Sequence, residues 1–368
     1  MFASIIKSKS KKNEREEGNY SREQEHETAL FKSTVHRQRN SKKILRSQII
    51  LFNSRKKWGL LFAFATVAGL FCVPLSLNQY SNAYLSSVVN GISTSVFLLL
   101  PLSTLLIITG MYVFNDLVDA DLDRANGKTK RPIPSGKVPK SHAIIFIIAM
   151  NLAGISVPVF MGNIISLLFA LPIVLIGVLY SVPKISLKDR FLIKTLAIAL
   201  AMMCSLLLGS SVYLDIILKT GNEGFLLPIF SGTVVALMVF VTSPLNDMGD
   251  ISGDKQAGRR TIPIVIGKQR TVRLSLVIVL GMAIVSWLIY TAGLLSASND
   301  VIPVNLLGNS KLILPLAISF VTILTALHLF KVLKNIDNQA FVRDSVSKKS
   351  IPLHILLQIS LVIGCLLS

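Results

Sequence analysis

Asn115-Asp116-Leu117-Val118-Asp119-Ala120-Asp121-Leu122-Asp123 returns late in the chain as Asn246-Asp247-Met248-Gly249-Asp250-Ile251-Ser252-Gly253-Asp254. Both stretches read N-D-x-x-D-x-x-x-D, and each sits where a long apolar run meets a basic loop. Positions i, i+3 and i+7 share one face of a helix, so each copy predicts three carboxylates side by side. Two such faces turned toward each other would set Asp116, Asp119, Asp123, Asp247, Asp250 and Asp254 around one cavity. That much negative charge at a membrane boundary needs cations to neutralise it. No His or Cys stands near either copy, so the donors are all oxygen, which suits hard Mg²⁺ better than zinc. The simplest reading is a site that handles a polyanion, such as a diphosphate, through Mg²⁺. Asp121 lies off the shared face and reads as surface charge.

Composition places these motifs in a membrane. Hydrophobic residues make up 52% of the 368 and charged residues only 15%, with a mean hydropathy of +0.62; soluble domains rarely combine these values. The net charge of +19 would point to nucleic acid in a soluble protein. Here the Lys and Arg fall in the tail and in alternate loops, and no soluble domain remains to present a nucleic-acid groove. Cys72, Cys204 and Cys365 lie inside apolar runs without Cys-x-x-Cys spacing and read as packing residues, neither a disulfide framework nor a zinc site. Residues 1–57 are polar and basic, with clusters at Lys7–Lys12, Arg37–Arg46 and Arg55–Lys57. They read as a disordered cytoplasmic tail touching anionic headgroups, not as a secretory signal.

From Trp58 onward, apolar runs alternate with short loops, and a helix needs about 20 apolar residues to cross the hydrocarbon core. The pattern predicts nine spans: 58–77, 88–114, 143–161, 164–182, 191–212, 226–245, 271–294, 312–330 and 351–367. The expected fold is an all-α membrane protein, nine transmembrane helices in a bundle, occupying residues 58–368. Nothing alternates with period two, so a barrel is excluded. Loops 115–142, 183–190, 246–270 and 331–350 are rich in Lys and Arg, whereas 78–87, 162–163, 213–225 and 295–311 carry few. Positive loops stay cytoplasmic. The expectation is therefore a multi-pass cell-membrane protein with its amino terminus and both aspartate motifs cytoplasmic, and its carboxyl terminus outside.

The flanks of the motifs are related as well. Arg131-Pro132-Ile133-Pro134 follows the first, and Arg260-Thr261-Ile262-Pro263 the second, a weak internal repeat consistent with two helical halves facing one cavity. Arg131 and Arg260 would grip phosphate oxygens left free by the metal through paired hydrogen bonds. A lone D-x-x-D-x-x-x-D at a helix end is commonly a solvated face. Two copies, each with its Asn and each on the same side, favour a site. Tyr180-Ser181 with Pro183, Lys184, Lys188 and Lys194 reads equally as an interfacial aromatic with positive-inside lysines or as a substrate contact. His142 and His328 read as structural, and no Walker loop, Ser-His-Asp set or dinucleotide fingerprint is present.

The two motifs within these spans resemble the UbiA superfamily of intramembrane prenyltransferases, over about 58–368. The resemblance implies a helical bundle around a central cavity and Mg²⁺-dependent transfer of an isoprenoid chain from its diphosphate. Asn115, Asp116, Asp119 and Asp123 match the first family motif, and Asp247, Asp250 and Asp254 the second. These seven are the implied metal set, and Asp119, Asp250, Tyr180 and Lys184 are the implied catalytic residues. Arg131 sits in a segment similar to the family's stretch after the first motif, and Tyr180 and Lys184 resemble its Tyr-Ser-x-Pro segment. Asn115, Arg131, Arg260 and Lys188 are the implied contacts to the diphosphate or an acceptor phosphate. Gly253–Pro263 is most similar to the branch making archaeal ether lipids. That implies a geranylgeranyl diphosphate donor and, as the lipophilic acceptor, geranylgeranylglyceryl phosphate, with Lys184, Lys188, Arg190 and Lys194 near its phosphate. An aromatic quinone precursor is the alternative acceptor. A secondary transporter is a further alternative, though transporters place ionisable groups near the midplane and these lie at helix ends.

Overall fold

The computed structural model describes residues 38–72, 94–125, 131–220, 226–298 and 312–366, and among these no strand occurs. The helices are α1 (38–71), α2 (Thr94–Val118), α3 (Ala120–Ala125), α4 (Lys140–Phe160), α5 (Ile164–Ser181) and α6 (Ile193–Thr220). They continue with α7 (Leu226–Met248), α8 (Ile251–Gln256), α9 (Ile262–Ile266), α10 (Lys268–Ser298), α11 (Ile313–Lys334) and α12 (Gln339–Leu366). Among the described residues, eight helices are long and apolar enough to cross a membrane: α2, α4, α5, α6, α7, α10, α11 and α12. The ninth expected span, 58–77, is entered by α1, but its last residues and the loop 78–87 lie outside the described residues. So do residues 1–37 of the expected tail and most of the loop 295–311.

Two boundaries differ from expectation for one reason. Hydropathy marks only the part of a helix that lies in hydrocarbon, while the helix itself continues into water or headgroups. Thus α12 begins at Gln339, not 351, carrying Asp344, Lys348 and Lys349 beyond the apolar stretch. Likewise residues 38–57, assigned to a disordered tail, form the first half of α1. Leu51 on that half is buried with Val113, Ile133, Val138 and Phe146. Ser47 Oγ lies 2.9 Å from His142 Nδ1, and Gln48 Nε2 donates to the His142 carbonyl at 3.2 Å. His142 is structural, as expected.

α2 packs against α4 and α5, α6 joins α5 to α7, and α7 packs against α10 and α12, with α11 closing the second group. Each motif-bearing helix, α2 and α7, thus heads its own group. α1 passes between the groups. An ideal Cβ on Gly69 would stand 1.8 Å from the Leu206 carbonyl oxygen, and one on Gly209 would stand 1.9 Å from that of Thr66. Only glycine allows α1 and α6 to approach so closely, as small residues do in membrane interfaces. Polar side chains stitch α1 to its neighbours: Ser210 Oγ of α6 donates to the Gly69 carbonyl at 2.8 Å, and Thr66 Oγ1 lies 2.7 Å from Thr104 Oγ1 of α2. On α4, α5, α10 and α11, Leu152, Phe160, Leu168, Val277 and Leu327 are exposed. An apolar exterior over a polar-stitched interior is what a lipid solvent selects.

Candidate active site

The first motif keeps its helical register. The Asp119 N–H donates to the Asn115 carbonyl at 3.0 Å and the Asp123 N–H to that of Asp119 at 2.8 Å. Asp116, Asp119 and Asp123 are therefore on one face, and all three are buried. The second motif breaks. α7 stops at Met248, and the Asp250 N–H donates to the Asp247 carbonyl, a tighter turn. Asp250 adopts φ −135°, ψ 32° before α8 begins. Asp247 and Asp254 are buried, whereas Asp250 is exposed. The expected three-on-a-face arrangement thus holds for the first copy and is interrupted at Gly249-Asp250 in the second.

Each buried carboxylate meets a basic side chain. Arg55 forks onto Asp116, with Nε 2.5 Å from Oδ2, and Arg131 reaches Asp116 at 3.2 Å while bonding Asp123. Lys188 Nζ lies 2.6 Å from Asp119 and 3.1 Å from the Asn115 Oδ1. Lys194 Nζ lies 2.5 Å from Asp247. Arg259 joins the motifs: its guanidinium is 3.2 Å from Asp119, 3.3 Å from Asp254 and 3.2 Å from Asp189. Burial lowers the Arg259 pKa, but the Asp119, Asp254 and Asp189 carboxylates outweigh it and raise the value above the ordinary one. Five motif carboxylates are thereby balanced by Arg55, Arg131, Lys188, Lys194 and Arg259, which offsets their desolvation cost. Among the described residues, no three acidic, His or Cys side chains form a ready-made ion cage.

Two cavities adjoin this network. One, of about 110 Å³, is walled mainly by Phe62, Ile108, Met111, Ile173 and Ile176, with Asn115 also in its lining. The other, of about 210 Å³, is lined by Trp58, Lys194, Thr242, Asn246, Asp247 and His354 among others. Both share Phe62, Tyr112, Tyr180 and Ile198. Trp58 stacks on Tyr112 with ring centroids 5.6 Å apart. Two mainly apolar chambers, the second carrying Lys194 and Asp247 in its wall, therefore meet at Phe62, Tyr112, Tyr180 and Ile198.

Several positions expected from sequence are relocated by turns. Lys184 is exposed. The lysine brought inward is Lys188, on a 3₁₀ turn (Leu187–Asp189) entered through Ser186 at φ 36°. Arg260 is exposed, and among the described residues it joins by its backbone N–H, which donates to the Asp189 carbonyl at 3.1 Å. Its neighbour Arg259 takes the interior place because α8 ends in a Schellman turn. The Gly258 N–H (φ 68°) donates to the Lys255 carbonyl and the Arg259 N–H to that of Asp254. Gly at that position with the next residue folded back is the defining geometry, so Gly258 was the signal that could have found Arg259. Arg55 was missed because it was counted into the tail's charge run; no local signal singles it out. Asn115 and Tyr180 line the first cavity, Arg131 pairs with Asp116 and Asp123, and Lys188 pairs with Asp119. Asp121 is exposed and pairs with Lys140 at 2.9 Å, a surface charge.

Comparison with known proteins agrees with this architecture. The model of the UbiA prenyltransferase family matches residues 80–343, and the chain belongs to that family. A digeranylgeranylglyceryl phosphate synthase of Methanosphaera stadtmanae is 31% identical over 176 residues, 48% of this chain and 60% of that protein. One of Pyrococcus abyssi is 30% identical over 162 residues, 44% and 53% of the two chains. The chain thus spans less than two thirds of these relatives' lengths. Among solved structures, a UbiA homologue from Archaeoglobus fulgidus bound to GPP and Mg²⁺ shares the fold with TM-score 0.55 at 15% identity, covering 86% of this chain and 99% of that one. A UbiA homologue from Aeropyrum pernix K1 gives TM-score 0.56 at 18% identity, covering 84% and 96%.

Proposed function

We propose that the protein transfers a polyprenyl group, geranylgeranyl, from its diphosphate to a lipophilic acceptor, geranylgeranylglyceryl phosphate, with Mg²⁺ as the cofactor. The observation that carries this is Arg259, one guanidinium holding Asp119 of the first motif and Asp254 of the second. It makes the two acidic motifs one site, beside an apolar cavity lined by Asn115 and Tyr180. The relatives named as digeranylgeranylglyceryl phosphate synthases and the neighbour bound to GPP and Mg²⁺ support the substrate class.

The donor set fits Mg²⁺. It is oxygen only, and Asp247 Oδ2 is buried without a hydrogen-bond partner, a lone-pair cost that a cation would remove. Asn115, Asp116, Asp119, Asp123, Asp247, Asp250 and Asp254 would hold it. When bound, Mg²⁺ supplies charge neutralisation to the departing diphosphate. The chain's own residues do the rest. Arg131 and Lys188 donate charge-assisted hydrogen bonds to phosphate oxygens, exchanging carboxylate for phosphate partners, while Arg259 keeps the two motifs together. Met111, Ile173 and Ile176 hold the isoprenoid chain and exclude water from the allylic carbon. Tyr112 and Tyr180, which line both cavities, supply aromatic rings near developing positive charge. Of Lys184, Lys188, Arg190 and Lys194, Lys194 lines the 210 Å³ cavity and takes the acceptor phosphate there, whereas Lys184 is exposed.

Product analysis tests the proposal. Protein in detergent receives geranylgeranyl diphosphate with geranylgeranylglyceryl phosphate, hydroxybenzoate or dihydroxynaphthoate, and products are read by mass spectrometry. A doubly prenylated glyceryl phosphate is expected. Prenylated aromatics with no glycerol lipid would move the acceptor to a quinone precursor, and proteoliposome uptake without any transfer would indicate a transporter.

A further inference from the structure

Cys72 at the end of α1 and Cys365 near the end of α12 face each other, with Sγ atoms 3.1 Å apart and both residues buried. Closing a disulfide of about 2.05 Å would take roughly an ångström of movement. The pair lies far from the acidic site. Along α1, Cys72 follows the site residue Arg55 by 17 positions, about 25 Å at the α-helical rise. Along α12, Cys365 follows Ser350, whose hydroxyl bonds Asn246, by 15 positions, about 22 Å. Both thiols are thus most of a hydrocarbon thickness from the carboxylates, toward the opposite membrane face. The Lys- and Arg-rich loops flank the acidic end, which assigns that end to the cytoplasm and the thiols to the outer side. Disulfides form and persist there.

We propose that Cys72 and Cys365 are oxidised to a disulfide that joins α1 to α12. Two S–H bonds break and one S–S bond forms. The two protons and two electrons pass to a disulfide-class oxidant on the outer side, which is reduced to a dithiol. The exchange occurs as the chain inserts, before the bundle closes over the sulfurs, and burial afterwards shields the bond from reductants. The bond has a purpose in the fold. Trp58, Leu61 and Phe62 of α1 and Ser350, Ile351 and His354 of α12 wall the same 210 Å³ cavity. Among the described polar contacts, Gln358 Nε2 to the Leu61 carbonyl at 3.3 Å is a weak tie between these helices. A covalent link at their far ends ties together the two helices that wall the cavity. The inference depends on the orientation drawn from loop charge and not on prenyl transfer.

The test uses full-length protein in cells quenched with acid. Free thiols are blocked with N-ethylmaleimide in SDS, the sample is reduced, and newly freed thiols are tagged with a 5 kDa polyethylene glycol maleimide. Wild type should gain two tags, with Cys204 blocked, and Cys72→Ser and Cys365→Ser should gain none. Reduction should lower the unfolding temperature of wild type in detergent and leave the Cys72→Ser/Cys365→Ser double variant unchanged. Wild type without tags, or tags that accompany a disulfide-linked dimer on non-reducing gels, overturns the proposal.

Discussion

Arg259 and Arg260 are adjacent arginines with opposite surroundings, and replacing each separately tests the assembled site. The Arg259 side chain is 19% exposed and touches three carboxylates at 3.2 to 3.3 Å, whereas Arg260 is exposed and, among the described residues, engages through its backbone. Lysine keeps the charge of Arg259 but is a point donor and cannot span three acids at once. Arg259→Lys therefore loses two charge-assisted contacts. Their lengths and partial exposure put each near the low end of the usual range, about 1.5 kcal/mol, or about 3 kcal/mol together. If holding the motifs face to face is required for turnover, kcat/KM falls roughly a hundredfold. Arg259→Ala also leaves Asp254 without its cation and should cost more. Arg260→Ala should change kcat/KM by no more than about twofold, since exposed substitutions away from special features have small effects. The assay is initial-rate prenyl transfer in detergent, with thermal unfolding recorded for each variant. Equal damage from both alanine variants, or near-normal kcat/KM in Arg259→Lys, would refute the assignment.

Activity should fall to background in excess EDTA and return with Mg²⁺ or Mn²⁺. Asp119→Asn should lower kcat by about a hundredfold or more with the fold intact, and Asp250→Asn likewise if the motif acts as a unit; a loss under threefold would remove exposed Asp250 from the site. Lys194→Ala should raise the acceptor KM about tenfold, the loss of one charge-assisted contact of roughly 1.5 kcal/mol, and Lys184→Ala should not; steady-state kinetics with each substrate varied reads the difference. Gly209→Ala drives a Cβ to within 1.9 Å of a backbone oxygen and should cost at least about 2 kcal/mol, whereas Gly281→Ala, with nothing within 4 Å, should be neutral or stabilising by under about 1 kcal/mol; unfolding temperatures in detergent that move together would contradict the α1–α6 contact. In a cysteine-free background, single cysteines at Lys137 and Lys255 should resist an impermeant thiol reagent added to intact cells while one at Leu312 is labelled, and protection on opposite sides for 137 and 255 would separate the motifs.

The parts legible in the sequence are those the bilayer constrains directly. Apolar length marked the crossing helices, because a backbone in hydrocarbon must satisfy itself within a helix. Ionisable groups are costly at the membrane boundary too, so Asp116, Asp119, Asp123, Asp247, Asp250 and Asp254 stood out as candidate site residues. The cations that answer them were harder to see, because turns outside the hydrocarbon decide which of several neighbouring basic residues points inward. A left-handed Ser186 selects Lys188 over Lys184, a Schellman turn at Gly258 selects Arg259 over Arg260, and the break at Gly249 turns Asp250 out. Arg55 reads as tail charge until α1 is seen to extend below the bilayer boundary. These selections bear on the proposed chemistry. The basic groups that neutralise the carboxylates are of the type a diphosphate requires, so substrate entry exchanges partners within a nearly neutral set. A site holding unpaired carboxylates would carry their desolvation cost in every resting molecule, and one holding unpaired arginines would trap any anionic lipid headgroup. Pairing the two sets avoids both, and it makes the position of each turn as consequential for binding as the aspartates themselves.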